Sequence, residues 1–110
     1  MLKTNASVED ICQETADFLS RYIKIDRIIV FGSYAYGAHR QDSDLDIAVV
    51  SPDFKNMPIL NKIELFSQAA IAIDSRLEIK GFSSEDFAHP ESCSLLELIK
   101  DRGKVVYPRL

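Results

Sequence analysis

Apolar positions along the chain alternate between helical and strand-like patterns. Val8, Ile11, Cys12, Thr15, Phe18, Leu19, Tyr22 and Ile23 recur at spacings of three, four and seven, which predicts an amphipathic helix ending near Tyr22 or Ile23. Ser7, with Asp10 three residues on, supplies its amino-terminal cap. Arg27–Phe31 is a β-branched run halted by Gly32 and predicts a buried strand, and Asp46–Val50 predicts a second, closed by Ser51 and Pro52. The helical period returns in Ile59, Leu60, Ile63, Phe66, Ala69, Ala70 and Ile73, with Pro58 accommodated in the first turn. Leu77–Phe82 reads as a third strand. Leu95, Leu96, Leu98 and Ile99 form a last short helix, with Lys100 and Arg102 suited to its carboxyl end and Gly103 placed to close it, before a final strand over Val105–Tyr107. The order predicts a small mixed β-sheet flanked by helices, in the α/β (α+β) class. No repeat, linker or low-complexity tract interrupts it, so residues 1–110 read as one domain.

Composition narrows the functional classes. With 46% apolar and 9% aromatic residues, a 110-residue chain can fill one core. A chain of this size buries roughly two-thirds of the surface it exposes when unfolded. Thirteen basic against seventeen acidic residues leave a charge of −4, which is not the footprint of a protein that grips long nucleic acid by its phosphates. An anionic ligand must then be held by local geometry. Met1–Ser7 has no apolar signal core, and no apolar run approaches the ~18 residues that span a membrane, so the expectation is a soluble, cytoplasmic chain. Cys12 and Cys93 fall within apolar helical patterns, away from any cysteine or histidine at metal spacing, and are expected to be buried free thiols.

The chemistry concentrates between the first two strands, from Phe31 to Asp46. Gly32, directly after a buried strand, permits close approach of a ligand to the backbone, and amides following it at a helix start can bind phosphate. Ser33 adds a hydroxyl donor. Asp44 and Asp46 stand two apart at the mouth of an apolar strand, which puts both carboxylates on one face while Leu45 points the other way. Such hard oxygen ligands suit Mg²⁺, which commonly takes one or two carboxylates plus substrate phosphates. A third carboxylate is available if Leu77–Phe82 lies beside this strand, because Glu78 and Lys80 share one of its faces. Two ions held by Asp44, Asp46 and Glu78 would suit phosphoryl or nucleotidyl transfer, with Glu78 positioning an acceptor hydroxyl or taking its proton. His39 and His89 read as surface loop residues, and Asp53, Glu64 and Asp74 as solvation on turns or helix faces.

Gly32-Ser33, ten intervening residues and Asp44-Leu45-Asp46 resemble the signature of the DNA polymerase beta-like nucleotidyltransferase superfamily, and the chain looks like its minimal nucleotidyltransferase branch. The resemblance covers most of the chain from about Arg27 onward. It implies the polymerase beta-like fold, ATP as substrate, two Mg²⁺ ions, catalytic and metal-binding roles for Asp44, Asp46 and Glu78, and nucleotide binding by Gly32, Ser33 and Arg40. The chain departs from the pattern at two places. Glu78 stands where many members have aspartate, and Tyr34 and Tyr36 stand where arginines often follow the serine, which leaves Arg40, backbone amides and metal to meet phosphate charge.

The expectation is that a domain of this length leaves no residues for an acceptor platform, which would then come from a second copy of the chain or another protein. Members of this size resemble the antitoxin half of two-gene modules whose partner is a HEPN-type ribonuclease toxin. The resemblance implies transfer of AMP from ATP to a tyrosine of that partner. The alternative is a non-enzymatic antitoxin that keeps the fold and neutralises its partner by contact.

Overall fold

The computed structural model describes residues 7–32, 34 and 44–108. Among them, four strands, β1 (Arg27–Phe31), β2 (Leu45–Val50), β3 (Leu77–Phe82) and β4 (Lys104–Tyr107), form one sheet in the order β3-β2-β1-β4. The sheet is mixed: β2 runs parallel to β3, while β1 is antiparallel to both β2 and β4. Helices α1 (Val8–Leu19) and α2 (Ile59–Ala72) contribute to the core on one face. The short α3 (Ser84–Ala88) and α4 (Leu95–Arg102) contribute on the other.

Alternation along the central strands explains these two layers. Ile28 and Val30 of β1, with Leu45, Ile47 and Val49 of β2, join Ile11, Cys12, Ala16 and Leu19 of α1. The intervening Ile29, Phe31, Ala48 and Val50 meet Phe87 of α3 and Leu96 and Ile99 of α4. Strands covered on both sides read as unbroken apolar runs, as β1 and β2 do. Ser7 caps α1 as the sequence predicts, its Oγ accepting from the Asp10 amide at 3.1 Å. In the buried face of α1, the Thr15 hydroxyl donates to the Ile11 carbonyl at 2.8 Å, satisfying itself without leaving the helix. Among the described residues, no helix is long and apolar enough to cross a membrane.

Several local expectations require correction. Ser51 does end β2, but it also caps a 3-10 helix over Pro52–Asn56, its Oγ accepting from the Asp53 amide at 3.1 Å. Asp53 has a specific partner: its Oδ2 accepts from the Lys24 amide at 2.8 Å and ties the chain leaving α1 to this helix. The face expected to bury α2 is only partly the one that does: Leu65 and Ala69 are buried, whereas Ile59, Leu60 and Ile63 are exposed. Tyr22 is exposed beyond the end of α1. Cys12 is buried and free, but Cys93 is exposed, with φ of 61° in the turn before α4. Gly103 closes α4 in extended conformation, and a side chain there would collide with Ile29 and the Ile99 carbonyl.

Candidate active site

Gly32, Asp44, Asp46 and Glu78 come together at one end of the sheet, where β1 ends and β2 and β3 begin. The antiparallel register pairs Phe31 with Asp46, so the turn beginning at Gly32 borders the carboxylate strand. Gly32 has φ of +72°, a conformation that disfavours residues with a Cβ. A Cβ at Gly32 would also lie 2.5 Å from Asp46 Oδ2. The glycine is therefore required twice, by backbone conformation and by the approach of the carboxylate.

The parallel register pairs Asp46 with Glu78. Registered neighbours on adjacent strands share a face, so these side chains project on the side carrying Ala48 and Val50. Asp44 lies just before β2 and is exposed. The electrostatics place Asp46 within the influence of both other carboxylates. Burial pushes the Asp46 carboxyl above its ordinary value, and the charges of Glu78 and Asp44 push it further. Lys80 on β3 acts in the opposite sense and offsets part of the repulsion.

The donor set fits a magnesium ion in type, being hard carboxylate oxygen, and a cation would relieve the repulsion raising Asp46. Among the described residues, no three His, Cys, Asp or Glu side chains are gathered in an arrangement that could hold an ion. Ser33 and Arg40, the other expected nucleotide-binding residues, lie outside the described residues, as do Tyr36, His39 and Asp42.

Two further residues connect to this end of the sheet. The Arg76 carbonyl accepts from the Leu45 amide, between Asp44 and Asp46, at 2.9 Å. Its Nη1 donates to the Tyr34 hydroxyl at 3.1 Å, while its Nε and Nη2 bond to Asp74 at 3.0 and 2.7 Å. Asp74 is thus an ion-pair partner and not a solvated turn residue. The nearest sequence signal is a carboxylate and a guanidinium two residues apart in the turn before β3. Nothing local points to the tyrosine, which is 42 residues away.

A glycine bordering carboxylates on two neighbouring parallel strands is an arrangement compatible with nucleotidyl transfer. The nucleotidyltransferase domain family matches residues 12–101, and the chain belongs to that family. Over 57 residues it is 40% identical to the Methanocaldococcus jannaschii protein named "Putative protein adenylyltransferase MJ0141", a match covering 52% of this chain and 50% of that protein. The match therefore spans about half the length of this relative. In solved structures the fold resembles that of a toxin–antitoxin with AMP-PNP, with a TM-score of 0.63, 24% identity and coverage of 92% of this chain and 73% of the other. It also resembles that of a mutant of the toxin–antitoxin MntA-HpeT, with a TM-score of 0.59, 24% identity and coverage of 86% and 70%. The mixed four-stranded sheet between helices is the polymerase beta-like nucleotidyltransferase fold.

Proposed function

We propose that the chain is a Mg²⁺-dependent nucleotidyltransferase that moves AMP from ATP to a hydroxyl acceptor, a tyrosine of a HEPN-type partner toxin. The observation that supports this reading is the register of Asp46 with Glu78 on adjacent strands, beside a glycine whose backbone stays open to close approach. Asp44, Asp46 and Glu78 would hold two magnesium ions, which supply positive charge to the α-phosphate and to the attacking and leaving oxygens. Gly32 lets the nucleotide approach the backbone, and Ser33 and Arg40 contribute a hydroxyl and a cation toward its phosphates. Glu78 lies across from Asp46, suited to orient the acceptor hydroxyl or take its proton as the oxygen attacks the α-phosphorus and pyrophosphate departs. The adenylyltransferase name of the M. jannaschii relative supports AMP as the transferred group. The toxin–antitoxin neighbours support a toxin as the acceptor's source. The domain reading of residues 1–110 is part of the proposal, with the acceptor platform supplied by that partner or by a second copy of the chain.

The test is incubation with Mg²⁺ and ATP labelled at the α-phosphate, with the HEPN-type protein present and absent, beside the Asp44→Asn variant. The expected result is label on a partner tyrosine, abolished by chelation and reduced about a hundredfold or more by Asp44→Asn, since a lost metal ligand removes several kcal/mol of transition-state stabilisation. Absence of transfer to the partner, while Asp44→Asn still neutralises it, would overturn the enzymatic reading in favour of inhibition by contact.

A further inference from the structure

We infer that Arg76 is a positioning residue that locks the turn opening at Gly32 to the carboxylate strand, acting through the Tyr34 hydroxyl. The inference rests on the nucleotidyl-transfer reading of this site and extends it to residues outside the glycine and carboxylate set. Arg76 is fixed on two sides. Its carbonyl accepts from the Leu45 amide at 2.9 Å, so its backbone is fastened between Asp44 and Asp46. Its guanidinium is held by the Asp74 carboxylate through Nε and Nη2, and the Asp74 Oδ1 also accepts from the Arg76 amide at 2.9 Å.

This bidentate fork fixes the guanidinium plane and presents Nη1 to Tyr34 at 3.1 Å. The pair is also shielded, with side-chain exposures of 29% for Arg76 and 11% for Asp74, so its geometry is less open to solvent competition than a surface ion pair. Tyr34 lies two residues after Gly32, on the turn proposed to hold phosphate. Phosphate and metal must meet in one geometry, and a displacement of about 1 Å between their supports can cost a hundredfold in rate. Arg76 is bonded to both supports. A tyrosine at this position therefore has a use beyond packing: its hydroxyl accepts the bond by which Arg76, just before β3, holds it.

Calorimetric titration with Mg²⁺ and ATP tests the inference, using wild type, Tyr34→Phe, Arg76→Lys, Arg76→Ala and the Tyr34→Phe/Arg76→Ala double variant. Tyr34→Phe keeps the aromatic ring and removes only the hydroxyl. It is expected to weaken ATP binding about three- to tenfold, the range of one ordinary intramolecular hydrogen bond, with the melting temperature nearly unchanged. Arg76→Lys, which keeps charge without the fork, should not restore affinity. The double variant should bind no more weakly than Arg76→Ala alone, because both changes break the same link. Tyr22→Phe, at an exposed position beyond α1, serves as the control and should bind as wild type. Wild-type binding with Tyr34→Phe unchanged, or an additive double variant, would overturn the positioning role and leave the proposed function standing. Wild type that binds no ATP would overturn both. Should Arg76→Ala fail to fold, Tyr34→Phe decides the matter alone.

Discussion

Two causes make Gly32 intolerant of a side chain, and they act at different levels. The positive φ penalises any L-residue by about 1–2 kcal/mol, while the proximity of Asp46 Oδ2 forces a displacement of the carboxylate itself. Gly32→Ala is therefore expected to lower stability by about 1–3 kcal/mol and to weaken ATP binding, because the new methyl group moves a proposed metal ligand. Thermal melting and ATP titration check the two effects separately. An alanine variant that melts and binds as wild type does would refute the close approach. The placement of Gly32 and Asp46 was legible in the sequence because it depends on local rules: a glycine after a strand, and the alternation of faces along one. Glu78 required one assumption more, that its strand lies beside β2, and the Asp46–Glu78 register supplies it. Arg76 was not legible, since its partner Tyr34 is brought near only by the fold.

Among the elements, those with several turns or a full strand of pattern emerge as expected, while the shortest do not, and a helix apolar most of the way round hides which side it buries. The 3-10 helix over Pro52–Asn56 and α3 have five residues each, too few for a period to form, although Ser83 capping the Asp86 amide marks the start of α3. Helix α2 forms where expected, and only its buried side differs, for the opposite reason. Ile59, Leu60, Ile63, Leu65, Phe66, Ala69 and Ile71 surround so much of its circumference that period alone cannot select the buried side. Helix α1 has one apolar stripe, and Cys12 within it carries a measurable consequence. Burial, with a smaller contribution from Glu9, pushes the Cys12 thiol up from 9.0 to about 12. The unfolded chain thus ionises this thiol near 9.0, while the folded chain keeps its proton. Stability from this group is complete below pH 9 and is lost as pH rises from 9 toward 12. Denaturant midpoints should fall across that window, and the fall should be shallower in Cys12→Ala. A slope unchanged by the substitution would refute the burial argument. In the native protein at pH 8, an alkylating reagent should modify Cys93 and spare Cys12.

For the whole molecule, the −4 charge acquires a location as well as a sign. Asp44, Asp46 and Glu78 stand at one end of the sheet, where burial and then the charges of Glu78 and Asp44 raise the Asp46 carboxyl, so that ionising it opposes the compact state. Site chemistry and fold stability therefore conflict in the absence of a cation. Neutralising one member should relieve the repulsion, so metal-free Asp46→Asn is expected to melt no lower than wild type. Ligand binding should reverse this order. A ligand at about one hundred times its Kd stabilises the folded state by about 2.7 kcal/mol, which in a domain of this size corresponds to on the order of 10 °C. Mg²⁺ with ATP should thus raise the wild-type melting temperature by that order, ATP with a chelator should raise it far less, and Asp46→Asn should respond to neither. Scanning the two proteins under all three conditions separates a repulsive cluster that exists to bind a cation from a merely solvated acidic edge. In the second case Asp46→Asn would gain as much from Mg²⁺ and ATP as wild type, and the carboxylates would have no claim to the site.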